Sequence, residues 1–172
     1  MVKTLIIDNF LPDPNSVRQF GLGLSYRRRN NDEYWEGQRS EKVSLYDKNL
    51  EDKICRNIIK NYFCINNFNY NADLYFHKTM KNDLNDPQWI NDKIHTDKGM
   101  IAALIYLTPD APINSGTQTY KNQKPDIVMG NCFNRLVCYP CDVPHSAMTY
   151  FGGENNCRLV LLFWLFSLEI LK

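Results

Sequence analysis

The chain has 172 residues, 44% of them hydrophobic, so it is long enough to form one domain with a substantial core. Its formal net charge of +1 gives no electrostatic reason to expect binding to nucleic acid or to a membrane surface. The apolar run Leu159–Leu168 is too short to span a bilayer, and Val2–Ile7 ends at Asp8 without the pattern of a signal peptide. We therefore expect a single domain over residues 1–172, located in the cytoplasm.

Two helices are predicted in the first part of the chain, after a strand-like segment over Val2–Phe10. The pair Asp13–Pro14 supplies an N-cap and a first-turn proline, so a helix should run from there to about Leu22. The polar stretch Arg27–Asp32 is predicted to be a solvated loop, with substrate binding as the alternative. Leu50–Phe63 has apolar residues at helical spacing, which indicates a second helix packed on a sheet.

The rest of the chain is dominated by apolar segments that are typical of antiparallel strands, with a loop around Asn82–Gln88. Because helices come first and strands follow, we predict a mainly β (α+β) fold. The specific architecture we expect is a double-stranded β-helix, or cupin-like jelly roll, with N-terminal helices buttressing one sheet. The predicted strands are Asn69–Met80, Ile101–Leu107, Ile127–Met129, Arg135–Tyr139, Ser146–Tyr150 and Arg158–Phe166.

Two of the three histidines in the chain belong to a spaced set of metal-ligating residue types. His95 and Asp97 are two residues apart, so on a strand both side chains point to the same face. His145 follows 48 residues after Asp97, a separation that allows several intervening strands. Two imidazoles and one carboxylate are the ligands of Fe(II) sites that leave coordination positions open. The alternative is that His95 and Asp97 form an ordinary hydrogen-bonded pair and that His145 is a turn histidine.

A single arginine is placed where it could complete such a site. Arg158 lies 13 residues after His145 and opens an intensely apolar strand, so its charged group should enter a pocket in which an anion compensates it. The turn-forming stretch Phe151–Asn156 predicts a reversal that sets His145 and Arg158 side by side on neighbouring antiparallel strands. The alternative is a surface cation on the strand.

These motifs together resemble the 2-oxoglutarate/Fe(II) dioxygenase superfamily, and within it the prolyl-hydroxylase-like branch. The resemblance covers residues 89–166, with Val160 where many relatives have serine, and the N-terminal half is similar to uncharacterised bacterial and phage proteins. The segments that carry the resemblance are Ile94–Asp97 with Leu104–Thr108, the glycine-containing turn Ser115–Tyr120, Arg135–Pro140 with Pro144–Ser146, the closing strand Arg158–Trp164, and in the N-terminal half Asp13–Pro14 and Trp35–Ser40.

The resemblance implies an oxygenase that uses Fe(II), 2-oxoglutarate and O2, with ascorbate as a reductant. His95, Asp97 and His145 would be the metal ligands and catalytic residues, while Arg158, helped by the Tyr106 hydroxyl, would bind the distal carboxylate of 2-oxoglutarate. The substrate would be a peptide or protein side chain or a small amino-acid-like molecule, hydroxylated with release of succinate and CO2. The cytoplasm would be that of a bacterium or of a phage-infected host cell.

Other interpretations stay open. The protein could be a cupin-like metal protein that does not use 2-oxoglutarate, or a non-catalytic viral jelly-roll binding protein. His77 fits no ligand spacing and is predicted to be structural or near the substrate. Trp35 and Arg39 are predicted to lie in a loop that could fold over the site. The pair Cys138 and Cys141 is expected to pack as reduced, small apolar residues, with zinc binding or a regulatory disulfide as alternatives.

Overall fold

The computed structural model describes residues 4–30, 35–85 and 94–171. The predictions that concern Val2, Asp32, Gln88 and Trp89 therefore lie outside the described residues. The elements are β1 (Leu5–Ile7), α1 (Pro14–Leu22), β2 (Gln38–Lys42), α2 (Lys48–Phe63), β3 (Phe68–Thr79), β4 (Ile101–Tyr106), β5 (Thr117–Lys121), β6 (Lys124–Met129), β7 (Leu136–Pro140), β8 (His145–Ala147) and β9 (Arg158–Ile170), with 3-10 turns at Val43–Leu45, Lys81–Asn85 and Ile113–Ser115.

Both helices begin at an aspartate that caps free backbone N–H groups. The side chain of Asp13 accepts a hydrogen bond of 3.0 Å from the backbone N–H of Ser16, and α1 ends at Leu22 as predicted. Asp47 accepts one of 2.9 Å from the N–H of Leu50, so α2 begins two residues before the predicted start. The helix ends at Phe63, and the next residue, Cys64, caps it with a left-handed φ of 58°.

The strands form two antiparallel sheets. The large sheet has six strands in the order β1-β7-β4-β9-β3-β2, and β9 lies at its centre between β4 and β3. The small sheet has the order β6-β5-β8. A bridge between His95 and His145 adds one more paired residue beside β8. The predicted mainly β fold with few helices is confirmed. Within the described part of the chain, neither helix is long and apolar enough to cross a membrane.

The large sheet separates two hydrophobic clusters, and β4 contributes to both because its side chains alternate between the two faces. Ile101, Ala103 and Ile105 pack with residues of α1 and α2 on one face. Ala102 and Leu104 belong to the cluster on the other face, which also contains residues of the small sheet. The helices therefore buttress one face of the large sheet, and the opposite face is left for a site.

Several sequence predictions were wrong in detail. The segment containing Arg39 is strand β2 and not a loop, and β5 was not predicted at all. Both segments are polar, and both become strands by pairing with neighbouring strands, β2 with β3 and β5 with β6 and β8, which composition alone does not reveal. The strand expected over Val2–Phe10 covers Leu5–Ile7 of the described residues. The strand expected over Ser146–Tyr150 is the shorter β8.

Candidate functional site

Three side chains of metal-ligating type meet at the edge of the small sheet. The candidate ligand atoms of His95, Asp97 and His145 all lie within 4.8 Å of one another. The Nε2 atom of His145 is 3.4 Å from Asp97 Oδ2, and that of His95 is 4.0 Å from Asp97 Oδ1. The backbones of the two histidines exchange hydrogen bonds of 3.0 Å and 2.8 Å, so residues distant in sequence are fixed side by side.

Hydrogen bonds hold two of these side chains in orientation. Nδ1 of His145 lies 2.9 Å from the carbonyl oxygen of Val143, to which it donates as the N–H tautomer, leaving Nε2 free as a ligand. The indole N–H of Trp164 donates to Asp97 Oδ2 over 2.8 Å. The backbone N–H of Asp97 donates to the carbonyl of Cys141 over 2.9 Å.

The carboxylate of Asp97 is favoured in its ionised form. Burial raises its pKa, but the neighbouring imidazole of His145 and the N–H of Trp164 more than offset this effect. The pKa of Asp97 therefore lies below its ordinary value. The group offers an anionic oxygen ligand beside two imidazole nitrogens, which is the donor set of a facial triad.

Arg158 is buried, with a relative exposure of 3%, and is only partly satisfied by protein groups. Its Nε donates to the carbonyl of Ser115 over 2.7 Å. Its Nη2 is buried and has no hydrogen-bond partner among the residues that the structure describes. Since an unpaired buried donor on a charged group is costly, this nitrogen points to an anionic ligand.

The predicted pairing of the strands that carry His145 and Arg158 was wrong. β8 pairs with β5 in the small sheet, whereas β9 pairs with β3 and β4 in the large sheet. The stretch after β8 does turn, with Gly152 at a φ of 69°, but it carries the chain from one sheet to the other. His145 and Arg158 nevertheless line the same cavity, because the two sheets face each other across it.

This cavity has a volume of about 610 Å³, within the range of about 300–1,000 Å³ that is typical of small-molecule sites. The candidate ligands form part of its wall, and Ala102, Leu104 and Leu162 give it an apolar wall on the large sheet. Leu162 and Trp164 share a face of β9 with Arg158 because side chains alternate along a strand. The alternation of side chains along β9 could therefore have predicted that Leu162 and Trp164 line the cavity.

Tyr106 lies behind the wall of the cavity and does not line the cavity. It is fully buried, and its hydroxyl donates to Thr117 Oγ1 over 2.8 Å. Burial raises the pKa of Tyr106, an effect that the nearby charge of Arg158 opposes. Thr117 lines the cavity and was not singled out from the sequence. A contact between Tyr106 and a co-substrate stays a prediction.

The N-terminal part of the chain supplies a further wall of the cavity, formed by Trp35, Glu36 and Arg39. For Trp35 and Arg39 the sequence offered this only as one interpretation, a loop that could fold over the site, whereas Glu36 was not singled out. Tyr150, also missed, lines the cavity and donates from its hydroxyl to Glu36 Oε2 over 3.2 Å. No sequence pattern pointed to Tyr150.

His77 lines the cavity as a neutral side chain. Burial, together with the charge of Arg39, lowers its pKa to about 3, although its hydrogen bond to the carbonyl of Glu36 acts in the opposite direction. Cys138 and Cys141 are buried in the two different hydrophobic clusters, as expected of cysteines that pack as small apolar residues. Burial raises the pKa of the Cys141 thiol to about 12.

Solved structures share this fold. One is an oxidoreductase of the 2OG-Fe(II) oxygenase family from Burkholderia pseudomallei, with 11% identity and a TM-score of 0.62 over 95% of this chain and 84% of that one. A prolyl 4-hydroxylase from Phytophthora capsici has 12% identity and a TM-score of 0.58 over 95% and 58%. A prolyl hydroxylase from Trichoplax adhaerens, in complex with a hypoxia inducible factor peptide fragment, has 15% identity and a TM-score of 0.50 over 95% and 83%.

The resemblance to 2-oxoglutarate/Fe(II) oxygenases and prolyl hydroxylases is thereby confirmed at the level of the fold. No curated protein sequence gives a significant match to the chain. A sequence profile of one family matches residues 2–130, a stretch that includes His95 and Asp97 but ends before His145 and Arg158. The match covers more than half of the chain, and the chain therefore belongs to DUF6445, a family of unknown function.

Proposed function

We propose that the protein is an Fe(II)- and 2-oxoglutarate-dependent oxygenase that hydroxylates its substrate. One observation carries the proposal. Two imidazoles and a carboxylate, with ligand atoms within 4.8 Å of one another, share a cavity with a buried arginine whose Nη2 lacks a partner among the described residues. A metal ion would account for the two imidazoles and the carboxylate, and a ligand with a carboxylate would account for the buried arginine.

The residues fit both groups that this function requires. His95, Asp97 and His145 would hold Fe(II), since nitrogen and carboxylate oxygen donors on one face suit this ion and leave positions open for a chelating ligand. Arg158 would bind the distal carboxylate of 2-oxoglutarate through Nη2, and Thr117, positioned by the Tyr106 hydroxyl, lines the same cavity. A metal protein without 2-oxoglutarate would have no use for this arginine.

When bound, iron and 2-oxoglutarate supply the oxidation, in which one atom of O2 enters the succinate formed with loss of CO2 and the other enters a C–H bond of the substrate. The protein's own residues bind and orient. His145 presents Nε2 because Val143 holds its other nitrogen, and Trp164 fixes Asp97. The apolar wall on the large sheet limits access of water to the reacting groups.

The arrangement of the two sheets and the solved structures bear on the proposed architecture and on the class of substrate. The two sheets face each other, and the bridge of His95 to β8 extends the smaller one, which supports a double-stranded β-helix over a single domain. The Trichoplax adhaerens relative is solved with a peptide fragment, so a peptide or an amino-acid-like molecule is a reasonable substrate class. We keep the cytoplasm as the proposed location.

Binding measurements in the absence of oxygen test this function. Mn(II), as a substitute for Fe(II), should bind at one site by calorimetry, and 2-oxoglutarate should bind only to the Mn(II)-loaded protein. His145→Ala should abolish both, whereas His77→Gln, a change of the cavity histidine outside the proposed ligand set, should leave Mn(II) binding intact. Undiminished Mn(II) binding by His145→Ala would contradict the ligand assignment. A screen of peptides and amino acids for a mass gain of one oxygen atom would then identify the substrate.

A further inference from the structure

We propose that Asn131 is a positioning residue for co-substrate binding, because its side chain fixes the carbonyl group of Ser115 to which Arg158 donates. The inference rests on the proposed function and gives a role to a residue behind the wall of the cavity. Asn131 is buried and does not line the cavity, so any effect of its side chain on a ligand passes through its neighbours. It would set the position of the guanidinium that binds the distal carboxylate of 2-oxoglutarate.

The guanidinium of Arg158 is oriented by a backbone carbonyl group. Its Nε donates to the oxygen of Ser115 over 2.7 Å, and its Cζ lies 5.5 Å from the ring centroid of Tyr106. A guanidinium is a planar fork, so a hydrogen bond from Nε sets the direction in which the two outer nitrogens point. Because pairing with a carboxylate depends on that direction, a shift of the Ser115 carbonyl group would weaken the pair.

The carbonyl group of Ser115 belongs to a short turn that packs on the end of β6. The turn, Ile113–Ser115, is followed by Gly116, where an added Cβ would overlap the carbonyl oxygen of Met129. The backbone N–H of Asn131, two residues after Met129, donates to the carbonyl of the first residue of the turn over 3.0 Å. The turn and the residues after β6 are therefore in direct backbone contact.

The side chain of Asn131 completes this attachment. Its Nδ2 donates to Ser115 Oγ over 3.0 Å and lies 3.5 Å from the Ser115 carbonyl oxygen. The Ser115 hydroxyl donates its single proton to the carbonyl of Pro112 over 2.6 Å, so toward Asn131 it can only accept. This requirement fixes the amide with its nitrogen toward the turn. Asn131 therefore contacts the same carbonyl oxygen that accepts from Nε of Arg158.

These contacts form a chain from Asn131 through Ser115 to Arg158, and all three residues are buried. Hydrogen bonds that are shielded from water are not readily replaced by solvent when one partner is removed. Loss of the Asn131 amide should therefore let the turn shift, and the guanidinium should shift with it. The effect should be confined to ligands that reach Arg158, because the candidate metal ligands lie outside this chain of contacts.

Calorimetry on the full chain loaded with Mn(II) tests this role with two ligands. 2-Oxoglutarate would reach both the metal and Arg158, whereas oxalate chelates the metal and has no further carboxylate for Arg158. Asn131→Ala should weaken 2-oxoglutarate binding roughly 5- to 10-fold and leave the affinities for oxalate and for Mn(II) within about twofold. Ser115→Ala, which removes the Oγ that accepts from Asn131 but keeps the carbonyl group, should give the same pattern.

A double variant shows whether Asn131 acts through Arg158. In the Arg158→Ala background, Asn131→Ala should weaken 2-oxoglutarate binding by no more than about a further twofold. Asn134→Gly is the matched control, because Asn134 is another buried asparagine between β6 and β7 but bonds the backbone of Leu11. Its φ of 61° suits glycine, so this variant should keep the affinity for 2-oxoglutarate within about twofold.

The possible failures can be told apart. If 2-oxoglutarate does not bind the unmodified protein loaded with Mn(II), the proposed function is contradicted and the role of Asn131 falls with it. If it binds, a loss in Asn131→Ala that is no greater for 2-oxoglutarate than for oxalate would overturn the role of Asn131 alone. The same conclusion would follow from an equal loss in Asn134→Gly or from independent losses in the double variant. Loss of Mn(II) binding in both Asn131→Ala and Ser115→Ala would assign these residues to the fold and would also overturn it.

Discussion

The indole Nε1 of Trp164 donates a hydrogen bond of 2.8 Å to Oδ2 of Asp97. It joins the central strand of the large sheet to a candidate metal ligand that lies beside the small sheet. A group that orients a ligand in this way adds to metal affinity although it does not touch the metal. The same indole also contacts the guanidinium of Arg39, so one side chain serves both the candidate metal centre and the N-terminal wall of the cavity.

This relationship leads to the first prediction. Trp164→Phe keeps a ring on β9 but removes the N–H group, so Mn(II) affinity measured by calorimetry should fall about 10- to 100-fold. Trp35→Phe is the matched control, because Trp35 also flanks Arg39 yet has no hydrogen bond to Asp97. Equal losses in the two variants would assign the effect to packing around Arg39 and not to the hydrogen bond.

The second prediction concerns the co-substrate. Arg158→Ala removes the guanidinium whose Nη2 is buried without a partner among the described residues. A charge-assisted pair in such a place contributes on the order of 2–3 kcal/mol, so 2-oxoglutarate should bind the Mn(II)-loaded variant roughly 30- to 150-fold more weakly. Arg135→Ala, which removes an arginine paired with Asp8, should have no effect on this binding. A loss below about threefold for Arg158→Ala, with Mn(II) binding retained, would remove Arg158 from the site.

The third prediction concerns the product, and Asp97 decides it. In the proposed metal site its carboxylate would take the coordination position that a halide would need in order to reach the substrate. We therefore expect oxygen, and neither chlorine nor bromine, to be added to an identified substrate during turnover in excess chloride or bromide, with products resolved by mass. Asp97→Gly should reduce hydroxylation severely because the metal loses an anionic ligand. A halogenated product from the unmodified protein would overturn this assignment.

The fourth prediction concerns acid stability and His77. Its pKa in the folded protein is about 3, below the ordinary value of 6.5, so the unfolded chain binds the proton more readily. The folded state is therefore most stable with respect to this group above pH 6.5 and loses stability as the pH falls toward 3. At pH 5 the loss should be about 2 kcal/mol relative to neutral pH.

Urea unfolding of the unmodified protein and of His77→Gln at pH 7.5 and pH 5 would measure this contribution. Glutamine does not titrate, and its amide can keep a donor toward the carbonyl of Glu36. The variant should therefore lose less stability than the unmodified protein between the two pH values. An identical loss would show that His77 is not held neutral in the folded state.

The helices and the buried strands could be predicted from the sequence because their signals are local. Asp13 next to Pro14 marks the start of α1, and continuous apolar runs mark β4 and β9. The spacing of His95, Asp97 and His145 likewise predicted which side chains come together. In each case the residue types and their separations carry the information.

What could not be predicted depends on contacts between distant segments. β2 and β5 are polar strands that exist because a neighbouring strand pairs with them. The stretch between His145 and Arg158 has the residues of a turn, yet it connects a strand of the small sheet to a strand of the large sheet. Its local sequence does not distinguish such a connection between sheets from the turn of a hairpin. Glu36 and Tyr150 join the cavity only through tertiary packing.

In the proposed function, this protein couples oxidation by O2 to decarboxylation of 2-oxoglutarate. The most direct test incubates the Fe(II)-loaded protein with 2-oxoglutarate under ¹⁸O₂ and analyses succinate by mass spectrometry. We expect succinate that carries one ¹⁸O atom, formed by the unmodified protein and not by His145→Ala. Succinate without the label, or equal amounts from the variant, would contradict it.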